Sequence, residues 1–201
     1  MQRRGPRELR IIAGEWRGRR LRFPAGTTIR PTPDRVRETL FNWLSARISG
    51  ARVLDLFAGS GALGLESLSR GATAATFVDS DARALAALRE HLAEWGAHGA
   101  TTVRADALAW LEAGPPRGEP PFDIAFLDPP FDAGLLEQAC RRLEARGWLA
   151  PGAWIYLEAP VREPLPPLPG GWQPWRTGTA GEVGYHLLQR AAERQDAQAR
   201  A

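Results

Sequence analysis

From about residue 51 to residue 190 the chain alternates short apolar, β-rich runs with amphipathic stretches of helical period. The runs Arg52–Phe57, Ala75–Asp79, Thr101–Arg104, Ile124–Asp128 and Ala153–Glu158 predict strands. Between them, helical spacing falls at Ala62–Arg70, Asp81–Trp95, Ala107–Glu112 and Leu135–Arg146. Strand–helix alternation at this spacing buries both faces of a parallel sheet, so the expected class is α/β. Gly114–Pro121 reads as a connector rich in proline and glycine. Proline density from Pro160 to Pro174 predicts a long loop before a last strand near Gly184–Gln189.

Upstream the pattern changes. Arg10–Phe23 alternates apolar and basic residues around Gly14 and Gly18, which reads as a short hairpin with a charged face. Trp16 and Phe23, set among arginines, could stack on unpaired bases; the plainer alternative is that both rings cover the edge of the core. Thr32-Pro33-Asp34-Arg35 reads as a helix start, with Thr32 as N-cap and Pro33 at the first helical position. Val36, Leu40, Phe41, Trp43, Leu44 and Ile48 carry that helix to about Ile48. Its charged start, with Arg30, Arg35, Arg37 and Glu38, is placed to face an active site. The expected organisation is a basic arm and hairpin over 1–32, a catalytic domain over 33–190 and a frayed tail over 191–201.

Composition narrows the class. The 201 residues are 44% hydrophobic, enough for one domain with a sizeable core and an extension. No run approaches the roughly 18 apolar residues of a membrane helix, and no apolar signal region follows the basic start. A single cysteine, Cys140, excludes an internal disulfide framework and, with three scattered histidines, argues against a metal site. Its mid-helix place makes Cys140 a packing residue. A cytoplasmic enzyme is expected.

Charge changes the picture further. All 26 basic residues are Arg. Residues 1–37 hold 11 of them against Glu8, Glu15 and Asp34, whereas the rest of the chain holds 15 against 20 acids. The basic character therefore belongs to the N-terminal segment, which suits a polyanion, and the Arg fork suits phosphate. Arg10, Arg17, Arg19, Arg20, Arg30 and Arg35 are the candidate RNA contacts.

The first predicted strand of the domain runs into Asp55-Leu56-Phe57-Ala58-Gly59-Ser60-Gly61-Ala62-Leu63-Gly64. A strand feeding a glycine-rich turn and then a helix builds a nucleotide-cofactor site. The glycines match the dinucleotide pattern literally, which keeps a nicotinamide oxidoreductase in view. Against it stands Asp55, four residues before Gly59, because a carboxylate there repels a pyrophosphate but suits the cationic amino-acid end of S-adenosylmethionine. Phe57, Gly59 and Gly61 complete this group. Asp79, at the end of the second strand of the domain, can bridge ribose hydroxyls. Asp106, after the third, can accept from an adenine amine or cap the following helix, and Asp81 reads as a helix cap.

The fourth strand then delivers Asp128-Pro129-Pro130-Phe131 to the same sheet edge. An aromatic exocyclic amine is a weak nucleophile because its lone pair is delocalised into the ring. Hydrogen bonds to the Asp128 carboxylate and the Pro129 carbonyl would favour a more tetrahedral nitrogen and aim its lone pair at a sulfonium methyl. Proline fixes the carbonyl direction and brings no competing N–H. Phe131 can stack on an extruded base. Positioning and electrostatics would supply the acceleration, with no covalent nucleophile.

Taken together, Arg10-Ile11-Ile12-Ala13-Gly14-Glu15-Trp16-Arg17-Gly18-Arg19, the Arg30–Asn42 run, the Asp55–Glu66 run and Asp128–Phe131 resemble the bacterial 16S ribosomal RNA guanine-N2 methyltransferases that modify guanine 966. The likeness covers about residues 9–190. The cofactor and Pro-Pro motifs are common to many amino-methyltransferases, whereas the two arginine-rich motifs are far more specific. The resemblance implies a Rossmann-like class I methyltransferase fold with a seven-stranded, mostly parallel sheet. It also implies S-adenosylmethionine as cofactor and 16S RNA in small-subunit (30S) particles, with ribosomal proteins nearby, as partner. Carried over by residue, Asp128 to Phe131 hold the guanine, and Asp55, Gly59, Gly61, Asp79 and Asp106 hold the cofactor. A monomer without DNA or membrane partners is expected. A DNA adenine methyltransferase and a non-catalytic RNA-binding relative are the rival readings.

Overall fold

The structure, a computed structural model, describes residues 7–23, 32–130 and 134–192. It opens with an antiparallel hairpin of β1 (Arg7–Arg10) and β2 (Arg20–Phe23), followed by α1 (Asp34–Trp43). Then come β3 (Arg52–Asp55), α2 (Ala62–Ser69), β4 (Ala74–Asp79), α3 (Ala82–Glu94), β5 (Ala100–Arg104) and α4 (Ala107–Ala113). The chain continues through β6 (Phe122–Leu127), α5 (Leu135–Ala145), β7 (Leu149–Pro160), β8 (Trp172–Ala180) and β9 (Val183–Arg190). One seven-stranded sheet runs in the order β5-β4-β3-β6-β7-β9-β8. Its strands β3 to β7 pair in parallel, and β9 lies antiparallel between β7 and β8. This is the Rossmann-like class I methyltransferase architecture.

The predicted elements are present, with shifted ends. The strand predicted from Ala153 starts at Leu149 and runs to Pro160. Within the region read as loop and its sequel, Trp172–Ala180 forms β8 at the sheet edge. Proline is tolerated in an edge strand at an irregularity, and the β8 register shifts between Pro174 and Arg176. The first long helix stops at Trp43, and residues 44–50 continue in turns while Leu44 and Ile48 stay buried. Thr32 does not cap it: Pro33 occupies that position with no side-chain bond, and the Thr32 hydroxyl donates to Glu158 Oε1 at 3.0 Å. Tertiary contact has claimed the hydroxyl that local pattern assigned to the cap.

Hydrophobic residues fill both faces of the sheet. Phe41, Leu65 and Leu85, from α1, α2 and α3, cover one face; Leu111 and Leu143, from α4 and α5, cover the other. The hairpin segment joins the first face, burying Leu9, Ile11, Trp16, Leu21 and Phe23 in the same cluster. Trp16 and Phe23 are 5% and 3% exposed, so neither is available to stack on a base. Trp16 packs instead at 5.6 Å from the Trp95 ring of the α3 C-cap. The alternation there is a strand edge closing on a core. Gly14 makes the docking possible, since it has φ +84° and a Cβ there would lie 1.8 Å from the Ser69 carbonyl oxygen. Cys140 is buried in the opposite cluster, and burial pushes its thiol up to about 12, as suits a packing residue.

Candidate active site

In an open α/β sheet ligands bind outside the carboxyl ends of the strands, where strand order reverses. Here β3 is that point, flanked by β4 on one side and β6 on the other. Asp55 closes β3 and Asp79 closes β4, Asp128 follows β6 directly, and Glu158 lies near the end of β7. The parallel register aligns Asp55 with Phe77 and Phe126, and Phe126 with Tyr156. Since strand side chains alternate with period two, Asp79, Asp55, Asp128 and Glu158 share one face, the one carrying α1 to α3.

Each acid has a distinct setting. Asp55 is 4% exposed, and its Oδ2 accepts the Gly64 N–H at 3.0 Å across the turn. Burial outweighs that bond and, with Asp79 nearby, pushes its carboxyl up to about 7. Asp79 takes two amides, Gly59 N–H on Oδ2 and Asp81 N–H on Oδ1, both at 2.7 Å. It thereby ties the glycine turn to the start of α3. Gly61 holds the αL conformation at φ +74° as the N-cap of α2, and a Cβ there would meet Leu88 at 2.6 Å. Asp128 is half-buried and its carboxyl is raised well above the usual range, by burial first, then by Glu158 and Asp55.

The remaining predicted residues fall as follows. Phe57 is half-buried beside the second cluster. Asp106 caps α4, its Oδ1 accepting Ala109 N–H at 2.8 Å, which uses one oxygen of a carboxylate able to accept several bonds. Asp81 caps α3 through Arg83 N–H at 2.8 Å. Pro129 is buried and Pro130 exposed, while Phe131 lies outside the described residues. Arg10, Arg17, Arg19, Arg20 and Arg35 are exposed, and Arg30 lies outside the described residues. Arg19 sits 5.6 Å from the Trp95 ring, and Arg20 pairs with Glu8 at 3.1 Å. Arg37 does not face the site; it is wholly buried and donates to the Arg10 carbonyl at 2.8 Å. A depression of about 400 Å³ lined by Arg47, Asp123 and Trp154 lies at the opposite, amino-terminal ends of β6 and β7.

This arrangement has close relatives. The family model described as Conserved hypothetical protein 95 matches residues 9–189. Ribosomal RNA small subunit methyltransferase D of Escherichia coli (strain K12) is 48% identical over 189 residues, covering 94% of this chain and 93% of that protein. The chain belongs to the ribosomal RNA small subunit methyltransferase D family. The methyltransferase D of Haemophilus influenzae is 43% identical over 184 residues, covering 90% of this chain and 94% of its own. A solved structure described as the putative methyltransferase yhhF from Escherichia coli superposes with a TM-score of 0.84 at 48% identity, over 92% of this chain and 99% of that one.

Sequence reasoning passed over Glu158, although it closes a predicted strand as the acids that were noticed do. It is 5% exposed, and its Oε1 accepts both the Tyr156 hydroxyl at 2.7 Å and the Thr32 hydroxyl at 3.0 Å. Burial raises its carboxyl. Thr32 could not be found from local pattern, because its partner stands 126 residues away.

Proposed function

We propose that this chain transfers a methyl group from S-adenosylmethionine to the exocyclic N2 of guanine 966 in 16S ribosomal RNA. The substrate would be a small-subunit particle with its ribosomal proteins, met by a cytoplasmic monomer. The observation that carries the reading is the placement of Asp128-Pro129-Pro130 next to Asp55 across the strand-order reversal. An amine-gripping motif and a site for a cationic nucleoside then share one crevice. The family likeness supports the RNA as substrate.

The residues present fit the cofactor. Asp55 offers a buried carboxylate for a cationic amino-acid group, and the Gly59–Gly61 turn is braced by Asp79 with both glycines at positive φ. Asp79 and Asp106 stand on the same side of β3 for the ribose and base. When bound, S-adenosylmethionine supplies an electrophilic methyl whose C–S bond breaks as the N–C bond forms. The protein's part is positioning. Asp128 and the Pro129 carbonyl accept from the amine, hold its lone pair in line and exclude solvent, and the Asp128 carboxylate is at hand for the proton the methylated nitrogen must lose. Phe131 would stack on the base. The basic extension over residues 1–32, through Arg10, Arg17, Arg19, Arg20 and Arg30, together with Arg35, contacts phosphates beside the catalytic domain over 33–190. The test incubates labelled S-adenosylmethionine with unmodified small-subunit particles and maps the labelled nucleotide. Label at guanine 966 is expected; label only on DNA or on small molecules overturns the reading.

A further inference from the structure

We infer that Glu158 is a specificity-determining residue: its carboxylate accepts the ring N1–H of the target guanine while Asp128 and Pro129 accept from the exocyclic amine. The inference rests on the proposed guanine-N2 chemistry and extends it to the choice of base. Leu127 pairs with Leu157, so Asp128 and Glu158 follow in register on adjacent strands, and their side chains leave the same face. Neighbouring strands stand about 4.8 Å apart, close enough for two converging carboxyls to serve adjacent donors on one base. The Tyr156 and Thr32 hydroxyls both donate to Glu158 Oε1. These bonds fix the carboxyl rotamer, while Oε2 takes no hydrogen bond among the described residues. A carboxyl 5% exposed beside a second acid is a costly arrangement unless a donor arrives to meet it.

The chemistry of the bases makes that donor selective. In guanine the amine at C2 neighbours the ring N1–H, so the Watson–Crick edge offers two adjacent donors. In adenine and cytosine the exocyclic amine neighbours a ring nitrogen that accepts, and an ionised Glu158 would face its lone pair. A buried acceptor left without its donor discriminates strongly, because it is desolvated and unpaired. Burial first, and then repulsion from Glu158 and Asp55, raises the proton affinity of Asp128 when no donor is present. Ring and amine N–H groups would offset that repulsion where it is greatest.

The experiment uses the full chain and small-subunit particles reconstituted with 2-aminopurine in place of the target guanine. This base keeps the 2-amine and has an accepting N1. The unaltered enzyme should prefer guanine by about tenfold or more in kcat/KM. In Glu158→Gln the amide oxygen can keep the two hydroxyl bonds while its NH2 group faces N1. The preference should then fall towards equality, chiefly through loss on guanine, with melting temperature little changed and S-adenosylmethionine affinity kept within several-fold. An unchanged preference in Glu158→Gln, or a loss equal on both bases, assigns Glu158 a structural role and overturns the inference alone. Failure of the unaltered enzyme to label guanine particles overturns the proposed function and this inference with it.

Discussion

The Glu66 carboxylate and the Arg37 guanidinium lie 3.8 Å apart, with no side-chain surface exposed on either. Around this pair the N-terminal extension is fastened to the domain. Glu66, on α2, accepts Ile12 N–H at 2.8 Å and Ala13 N–H at 3.0 Å, and Arg70 donates to it at 2.8 Å. Arg37, on α1, reaches the Arg10 carbonyl and the Asp34 carboxylate at 2.8 and 2.7 Å. Ser69, one turn beyond Glu66, accepts Trp16 N–H and donates to the Ala13 carbonyl. The helix that follows the glycine turn therefore also holds the arginine-bearing segment.

Glu66→Ala should destabilise the fold by about 3–5 kcal/mol, because it removes the counter-charge of a buried guanidinium and the acceptor of two backbone N–H groups. Urea unfolding measures the loss. Trypsin cutting at Arg17 or Arg19 in the folded variant would report the segment coming away first. Unaltered stability would show that solvent takes over these bonds.

Asp128→Ala should abolish methyl transfer while leaving S-adenosylmethionine binding within several-fold. The variant removes the proposed acceptor for the amine without touching the glycine turn. Single-turnover labelling beside calorimetric cofactor binding separates the two effects, and retained activity would remove Asp128 from the catalytic assignment.

Cofactor affinity should rise with pH. Asp55, with its carboxyl pushed from 3.8 to about 7, is largely neutral below that value, and its ionised form is the one that attracts a cation. Affinity should climb between about pH 6 and 8, and Asp55→Asn should bind more weakly with a flatter profile. Stability runs the other way. The folded state retains a proton that the unfolded chain releases, so stability falls as pH rises from about 4 to 7, and Asp55→Asn should lose its share of that slope while the raised carboxyls of Asp128 and Glu158 keep theirs. Titration calorimetry and melting across this range check both signs.

Removing the hairpin whole would expose its core residues, so its role in RNA binding is better tested by charge alone. Arg17, Arg19 and Arg35 are exposed, and replacing each with Gln should weaken RNA binding. For every phosphate no longer neutralised, the slope of log K against log salt should flatten by about 0.7–0.9. A slope unchanged in the triple variant would mark these arginines as solvated only.

Much of the site was legible because it follows local rules. Asp55, Asp79 and Asp128 each close or directly follow an apolar run that only a strand explains, and parallel strands deliver their carboxyl ends to one edge. The edge strand β8 was obscured because its prolines and exposed residues mimic a loop, and an edge needs neither alternation nor a full ladder. Trp16 and Phe23 were ambiguous for a related reason. Aromatic rings among arginines suit both a base-stacking surface and a strand lying on a core, and composition alone does not separate them.

By itself the sequence determined the α/β class, the glycine turn with its leading acid, the Asp128–Phe131 tetrapeptide at a strand end and the concentration of arginine before residue 38. These depend on periodicity, backbone permissiveness and charge, which act over a few residues. Only the tertiary structure decided that the arginine segment is fastened by Glu66 and Arg37. It alone showed that Thr32 binds a carboxylate instead of capping a helix, and that Glu158 stands beside Asp128. Such pairings join residues tens to more than a hundred positions apart. Their energy comes from burial and from hydrogen bonds that exist once the sheet has closed, and no local pattern encodes them.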